Sequence, residues 1–149
     1  MKSGGTLPRL PVGGATAPGM NHEIRVIFGD TDQMGVVYYA NYLRYFESAR
    51  AAYWRDLGRS YKDLVDWGVA LPVVEAHCIY KRPALYEDLL VIDTRVSEVR
   101  GASLRFAYVV RRDAQVLAEG YTRHAVIGSD GRPMALPDVL RSSIPPTAR

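Results

Sequence analysis

The sequence predicts a mixed α+β fold in which one long helix covers a five-stranded antiparallel sheet. Apolar side chains recur at helical spacing over residues 39–57, and residues 69–127 contain four strand-like runs separated by turn residues. A further strand-like run, residues 22–28, precedes the helix. Because one face of an antiparallel sheet needs apolar cover, the long helix is expected to lie on that face.

The long helix is predicted from a single apolar stripe, whose members follow one another at spacings of four, three, four and four residues. Gly58 is the expected C-cap of this helix. A second, shorter helix is predicted over residues 60–66, because Ser60 is a suitable N-cap and Asp63 stands three residues later. The stripe of the long helix consists of Tyr42, Phe46, Ala49, Tyr53 and Leu57.

The strands are predicted from alternating apolar and polar side chains. In the first run, Ile24, Val26 and Phe28 share one face. The later runs recur about every twelve residues, a spacing that favours antiparallel pairing of consecutive strands. These later runs are residues 69–81, 91–99, 104–112 and 115–127.

Length and composition limit the class of protein. The 149 residues are expected to form one domain, residues 21–140, between a flexible N-terminal tail, residues 1–20, and a frayed C-terminal tail, residues 141–149. A hydrophobic fraction of 48% indicates a globular protein. The net charge of +3 suits anionic ligands without requiring nucleic acid. No apolar run approaches the ~18 residues that span a membrane.

The single cysteine, Cys78, excludes an internal disulfide and is typical of a reducing compartment. A cytoplasmic protein with neither nucleic-acid partner nor membrane insertion is therefore expected. Cys78 and the histidines His22, His77 and His124 show no spacing typical of a zinc site. Neither a metal ion nor a redox cofactor is expected.

The groups best suited to chemistry lie just before the long helix. Asp30 and Asp32 are separated by one residue, Gly35 follows, and the helix is expected to begin near Asn41. A carboxylate beside a helix N-terminus can act as base or nucleophile, while free N–H groups at the helix start stabilise an oxyanion. Of the two carboxylates, Asp30 is expected to be structural and to cap the turn.

A spaced pattern of residues continues from this turn into the helix. It comprises Gly29-Asp30-x-Asp32-x-x-Gly35-Val36-Val37-Tyr38, then Asn41-Tyr42-Leu43, then Phe46-Glu47-x-Ala49-Arg50.

This pattern resembles the signature of the 4-hydroxybenzoyl-CoA thioesterase type of hotdog-fold enzymes, including the branch encoded beside the Tol-Pal system. The resemblance extends weakly to about Asp130. It departs at Tyr39, where the Tol-Pal-associated branch often has histidine. A role for the backbone at that position survives the change, whereas a role for a histidine side chain does not.

The resemblance implies an acyl-CoA thioesterase that converts acyl-CoA and water into free acid and CoA. It implies that Asp32 is the catalytic carboxylate, as nucleophile or as general base, and that the backbone N–H of Tyr39 polarises the thioester carbonyl. It also implies paired sheets with active sites at subunit boundaries. A homo-oligomer, either a dimer or a tetramer, is expected because both sheet edges would otherwise expose unpaired backbone groups.

Other interpretations of these residues stay open. Asp32 can be an ordinary turn residue whose side chain accepts nearby backbone N–H groups. Glu47 can pair with Arg50 at i,i+3, support catalysis, or be the catalytic acid, as the helix carboxylate is in another branch of hotdog thioesterases. The whole chain can also be a non-catalytic module that binds acyl-CoA or acyl-carrier protein, which would need no carboxylate beside the carbonyl.

Basic residues near predicted strand ends are candidates for binding the phosphates of coenzyme A, because guanidinium groups bind phosphate bidentately. Arg100, in the turn before Gly101, is the leading candidate. The others, which can equally be solvated strand ends, are Lys81, Arg82, Arg105, Arg111, Arg112 and Arg123.

Overall fold

The structure, a computed structural model, describes residues 21–145. The predictions for residues 1–20 and for residues 146–149 lie outside this range. The elements in chain order are β1 (Asn21–Arg25), α1 (Asn41–Asp56), α2 (Tyr61–Asp66), β2 (Val69–Ala70), β3 (Val73–Tyr80), β4 (Leu89–Arg100), β5 (Ser103–Arg112), β6 (Gln115–Ala125), β7 (Ile127–Gly128) and α3 (Asp138–Arg141).

The main sheet has five antiparallel strands in the order β1-β4-β5-β6-β3, and α1 packs against one face. The predicted fold class is therefore confirmed. The expected pairing of consecutive strands is correct for β4, β5 and β6 and wrong for β3. Strand β3 lies beside β6, with Cys78 opposite Gly120, because residues 81–88 carry the chain away before β4 begins.

Three predicted strands are shorter than expected, and the last of them, over residues 115–127, ends at Ala125. The first ends at Arg25, and a 3₁₀ turn at Phe28–Asp30 then redirects the chain, so Phe28 is 73% exposed and does not face the helix. The run 69–81 is broken around Pro72, which has no N–H to donate to a ladder. Its first residues form β2, which pairs with β7 in a separate two-stranded sheet.

Helix α1 buries the predicted stripe against the sheet. It begins at Asn41, as expected, and Gly58 adopts a positive φ of 79° directly after its C-cap. The Phe46 ring stacks on Tyr108 of β5 with centroids 4.2 Å apart. Each fully buried side chain of this size contributes roughly 1.5–3 kcal/mol through removal of apolar surface from water.

Gly120 of β6 makes this close packing possible. A Cβ atom at this position would lie 2.6 Å from Cε2 of Phe46 and would also collide with the carbonyl oxygen of His77. The position beneath the helix therefore requires the smallest residue for steric reasons.

The second helix begins as predicted. The Ser60 hydroxyl accepts the Asp63 N–H at 3.2 Å, and the Asp63 carboxylate accepts the Ser60 N–H at 3.0 Å. This reciprocal capping fixes the first turn of α2. Beyond α3, Arg59 donates to the Ser143 hydroxyl at 3.1 Å, and Ile144 packs against the core.

Candidate active site

The Asp32 loop, residues 29–38, forms a closed turn that leads into α1. Asp32 donates its N–H to Val36 at 2.9 Å, and Gly35, with φ of 82°, returns its N–H to the Asp32 carbonyl at 2.9 Å. Oδ1 of Asp32 accepts the Met34 N–H at 2.9 Å. The other carboxylate oxygen, Oδ2, has no partner among residues 21–145. The half-buried side chain therefore stabilises its own turn and still offers one free oxygen.

Asp30 attaches the Asp32 loop to α1. Its carboxylate is 6% exposed and accepts the Tyr45 hydroxyl at 2.8 Å, while the Arg44 guanidinium lies 3.5 Å away. Its carbonyl accepts the Asn41 side-chain amide at 2.8 Å and the Tyr38 N–H at 2.9 Å. Burial and the bond to Asp30 raise the pKa of the Tyr45 hydroxyl, so that it stays a donor. Asp30 therefore has a structural role, but its carboxylate joins the loop to α1 rather than capping the turn as expected.

The start of α1 offers free donors beside this loop. Ala40, the N-cap, provides no side-chain hydrogen bond, and the first turn contains no acidic residue. The N–H groups of Tyr39 and Ala40 have no acceptor within the described part of the chain, whereas the Asn41 N–H donates to Tyr38 at 2.9 Å. An uncapped helix start carries partial positive charge and can bind a carbonyl oxygen or an anion.

Aromatic side chains surround the helix start. The Tyr80 hydroxyl donates to the Tyr39 carbonyl at 3.0 Å, and the Tyr80 ring lies edge-on to Tyr42 with centroids 5.0 Å apart. Partial desolvation of the Tyr80 hydroxyl raises its pKa, so it is a hydrogen-bond donor. Several large apolar side chains nearby remain exposed: Phe28, Met34, Tyr38, Tyr39, Leu85 and Tyr86.

Glu47 does not join Asp32 in the structure. It lies on an exposed face of α1 and lines a cavity with Arg50, separate from the Asp32 loop. No Glu47–Arg50 ion pair occurs within residues 21–145, so the i,i+3 pairing, one of the open interpretations of Glu47, is absent there. Instead, Arg50 donates to the Tyr108 hydroxyl at 2.9 Å.

Arg100 also lies apart from Asp32 in one protomer. It ends β4 and pairs with Glu98 at 2.9 Å, with 82% of its side chain exposed. The Asp32 loop contacts the segment that precedes the other end of β4, because Val36 bridges to Leu85. Twelve residues of strand separate the two ends, which corresponds to about 35 Å.

Most other candidate phosphate ligands are engaged in ion pairs. The Arg111 guanidinium donates two hydrogen bonds, of 2.7 and 3.0 Å, to the carboxylate of Asp93. Within the described range, Lys81 and Arg82 are exposed and have no ion-pair partner, and they follow Tyr80 directly. The remaining pairs are Arg105 and Arg123 with Glu98, Arg123 with Glu75, and Arg112 with Asp88.

A buried polar chain that the sequence did not reveal links Arg50 to β6. The Tyr108 hydroxyl lies 2.7 Å from Thr122 Oγ1, which lies 2.8 Å from His124 Nε2. His124 Nδ1 lies 2.8 Å from the carbonyl oxygen of Leu71. Because a carbonyl can only accept, Nδ1 carries a proton and donates it to Leu71.

Burial keeps His124 neutral, because it lowers the pKa of the imidazole to about 4. Nε2 of the neutral ring therefore accepts from Thr122, and the chain runs in one direction from Arg50 to Leu71. Thr122 and His124 stand two residues apart on β6, so they share one strand face. Two polar residues on the strand face that otherwise packs against a helix are the sequence signal that could have indicated this buried polar chain.

Further observations bear on partners and cofactors. In the part of the chain that the structure describes, no group of three or more metal-ligating side chains occurs. None of the helices in this range has the combination of length and apolar character that a membrane span requires. Cys78 is half-buried, and burial raises the pKa of its thiol to about 11, so it is a poor nucleophile at neutral pH.

A long helix lying on a five-stranded antiparallel sheet of this strand order is the hotdog fold. Residues 26–144 match the model of the thioesterase-like superfamily, and the chain belongs to that superfamily. This membership confirms the predicted class of enzyme, a thioester hydrolase.

Individual relatives agree with this assignment. The chain is 34% identical over 127 residues to the acyl-CoA thioesterase YbgC of Haemophilus influenzae, covering 84% of this chain and 93% of the relative. A 1,4-dihydroxy-2-naphthoyl-CoA thioesterase from Synechocystis superposes with a TM-score of 0.78 at 26% identity, covering 84% of this chain and 94% of the other. A hypothetical protein from Thermus thermophilus superposes with a TM-score of 0.79 at 33% identity, covering 84% and 96%.

We predict that His124 makes stability depend on pH. The pKa of His124 is about 4 in the folded chain and 6.5 for a solvated histidine, as in the unfolded chain. Below pH 6.5 the unfolded chain therefore gains a proton that the folded chain does not. The contribution of neutral His124 to the free energy of unfolding is therefore fully present above pH 6.5 and falls as the pH drops toward 4. Between pH 7 and pH 5 the loss should be about 2 kcal/mol.

Urea unfolding at fixed protein concentration measures this effect. His124→Gln is the matched variant, because glutamine does not titrate. Its free energy of unfolding should change less between pH 7 and pH 5 than that of the unaltered chain, whatever its absolute stability. Equal pH dependence in the two proteins would show that His124 is not the titrating group.

Proposed function

We propose that this protein is an acyl-CoA thioesterase whose catalytic carboxylate is Asp32. The observation that carries the proposal is the free Asp32 oxygen in a turn anchored beside an uncapped helix start. The name of the Haemophilus influenzae relative supports acyl-CoA as the substrate class. The carbonyl carbon of a thioester is electrophilic, and the free Asp32 oxygen can attack it or activate water to do so. The carbonyl oxygen gains negative charge during the attack, which the free N–H groups at the helix start can stabilise.

In the proposed mechanism the thioester carbonyl accepts the Tyr39 N–H, and Asp32 faces the carbonyl carbon. In one route the carboxylate attacks, CoA leaves as a thiolate that takes up a proton, and water hydrolyses the resulting mixed anhydride. In the other route Asp32 takes a proton from water as the water attacks, and returns that proton to the leaving thiolate. Both routes give free acid and CoA and use the same oxyanion donor.

The finer assignment rests on relatives and on the motif. The Synechocystis protein hydrolyses an aromatic thioester, as its name states, and aromatic side chains also surround the helix start here. We propose the 4-hydroxybenzoyl-CoA type within the superfamily, in the Tol-Pal-associated branch. A cytoplasmic location is proposed with it, because the single cysteine, Cys78, suits a reducing compartment.

We also propose that the enzyme is a homo-oligomer, a dimer or a tetramer, with its sites at subunit boundaries. Within residues 21–145, β3 pairs on one side only, with β6, and β1 only with β4. Val73, Val74 and Tyr80 of β3 are 48%, 61% and 45% exposed, which is a costly edge for a monomer. The exposed apolar side chains around the Asp32 loop support burial against a second copy.

We predict that Asp32→Asn folds and binds substrate but loses at least about 10²-fold in kcat. Asparagine keeps the size and can still accept the Met34 N–H, but it can neither attack nor take a proton from water. Release of free thiol from a panel of CoA thioesters measures the rate.

Glu47→Gln is the matched control and should lose less activity, because Glu47 lies outside the Asp32 loop and is assigned at most a supporting role. Near-normal activity in Asp32→Asn together with an inactive Glu47→Gln would move the catalytic acid to the helix. Normal activity in both variants would place the chemistry elsewhere in the molecule.

The oligomer is tested by light scattering. At micromolar concentration the mass should correspond to two or four chains of 16.6 kDa. Val74→Lys, on the exposed β3 edge, should shift the measured mass toward that of one chain. The reason is that a lysine buried in the subunit interface without a partner is costly. A monomeric mass for the unaltered protein would contradict the proposed arrangement of sites.

Arg100 is the proposed contact for a CoA phosphate, and it can serve only a thioester bound at the loop of another protomer. Arg100→Ala should then raise KM more than it lowers kcat, because ground state and transition state lose the same contact. The comparison variants are Lys81→Ala and Arg82→Ala, close to the Asp32 loop. If only these raise KM, the phosphate lies at residues 81–88 and Arg100 has no part in binding.

A further inference from the structure

A cavity of about 380 Å³ lies between α1, α2 and β6, away from the Asp32 loop. Its volume is at the small end of the range for ligand pockets, which suits one aromatic ring or a short chain. Most of its wall is apolar, and its principal lining residues are Arg50, Trp54, Tyr61, Leu64, Leu71 and His124.

Arg50 places a positive charge in this apolar wall. The side chain is half-buried, and its recorded partner is the neutral hydroxyl of Tyr108, at 2.9 Å. No carboxylate lies within ion-pair distance of Arg50 in the described residues. Since buried charges in proteins are normally paired, the guanidinium has both the need and the spare N–H donors for an anion.

The polar chain behind Arg50 makes it a rigid donor. Tyr108, Thr122 and His124 connect the guanidinium to the Leu71 carbonyl through bonds of 2.7–2.9 Å. Because each hydroxyl in this chain accepts from its predecessor and donates onward, Tyr108 has no proton left for a ligand. The Arg50 guanidinium is therefore held in place as the hydrogen-bond donor of the cavity, while the donors of the polar chain behind it are all engaged.

The remaining charges of the cavity also favour an anion. Arg55 adds a second positive charge, and Glu47 adds one negative charge at an exposed position on α1. His124, which faces the cavity from β6, accepts from Thr122 and is neutral. The net charge of the lining groups is therefore +1, with the carboxylate of Glu47 as the opposing group.

We propose that this cavity binds a small amphipathic carboxylic acid, with the carboxylate on Arg50 and the apolar body between Trp54, Tyr61 and Leu64. The site differs from the one formed by Asp32 and Tyr39. Its occupancy does not depend on thioester hydrolysis, so the proposal stands or falls separately from the proposed function.

Trp54 provides a direct signal for binding, because it lines the cavity and is one of two tryptophans in the chain. In a Trp67→Phe background, fluorescence of Trp54 should change saturably on titration with benzoate or octanoate. Benzamide and octanamide have the same shape without the charge and should bind at least about tenfold more weakly. Equal affinity for acid and amide, or no saturable signal with either acid, would overturn the proposal.

Substitutions then test the two charged groups separately. Arg50→Gln should weaken acid binding about tenfold or more and leave amide binding unchanged, while Arg50→Lys should keep the preference for acid. Glu47→Gln should strengthen acid binding, since a like charge is removed. Unchanged acid affinity in Arg50→Gln, or inorganic phosphate binding as tightly as benzoate, would contradict a carboxylic-acid site at Arg50.

Discussion

The buried carboxylate of Asp30 is the contact on which the candidate active site depends. It connects the Asp32 loop to α1 through the Tyr45 hydroxyl, and its backbone carbonyl accepts from both Tyr38 and Asn41. These bonds hold the turn that bears Asp32 against the start of the helix. Catalysis by a carboxylate and an oxyanion donor requires such fixed placement, since small displacements of reacting groups cost large factors in rate.

The helix itself is positioned by the sheet. Phe46 stacks on Tyr108 directly above Gly120, where no larger residue fits. One turn further along α1, Arg50 bonds to the hydroxyl of the same Tyr108. Tyr108 therefore takes part in two contacts of α1: its ring packs against Phe46, and its hydroxyl begins the polar chain beneath the C-terminal half of the helix.

The sequence predicted those parts of the molecule that follow from local patterns. The apolar stripe of α1, the Ser60–Asp63 capping box and the turn at Gly35 each arise from residues a few positions apart. The location of β3 beside β6 could not be predicted in this way, because strand order is set by contacts between distant residues and by the course of residues 81–88.

Prediction of the site followed the same division. The Asp32 turn and the free helix start are local, and the structure places them together. The partnership of Arg50 with Tyr108, Thr122 and His124 joins residues up to 74 positions apart across three elements, so no spacing in the sequence encodes it. Helical spacing allows Glu47 to pair with Arg50, but a hydroxyl on β5 bonds the guanidinium instead.

The central claim is that the Tyr39 N–H polarises the thioester carbonyl, and the ¹³C shift of a carbonyl-labelled acyl-CoA bound to the slow Asp32→Asn variant measures this most directly. The shift should move downfield from its value in water. It should stay there after Tyr39→Phe, which keeps the N–H, and return toward the value in water after Tyr39→Pro, which removes it. A carbonyl shift that is the same with Phe and with Pro at this position would contradict the account.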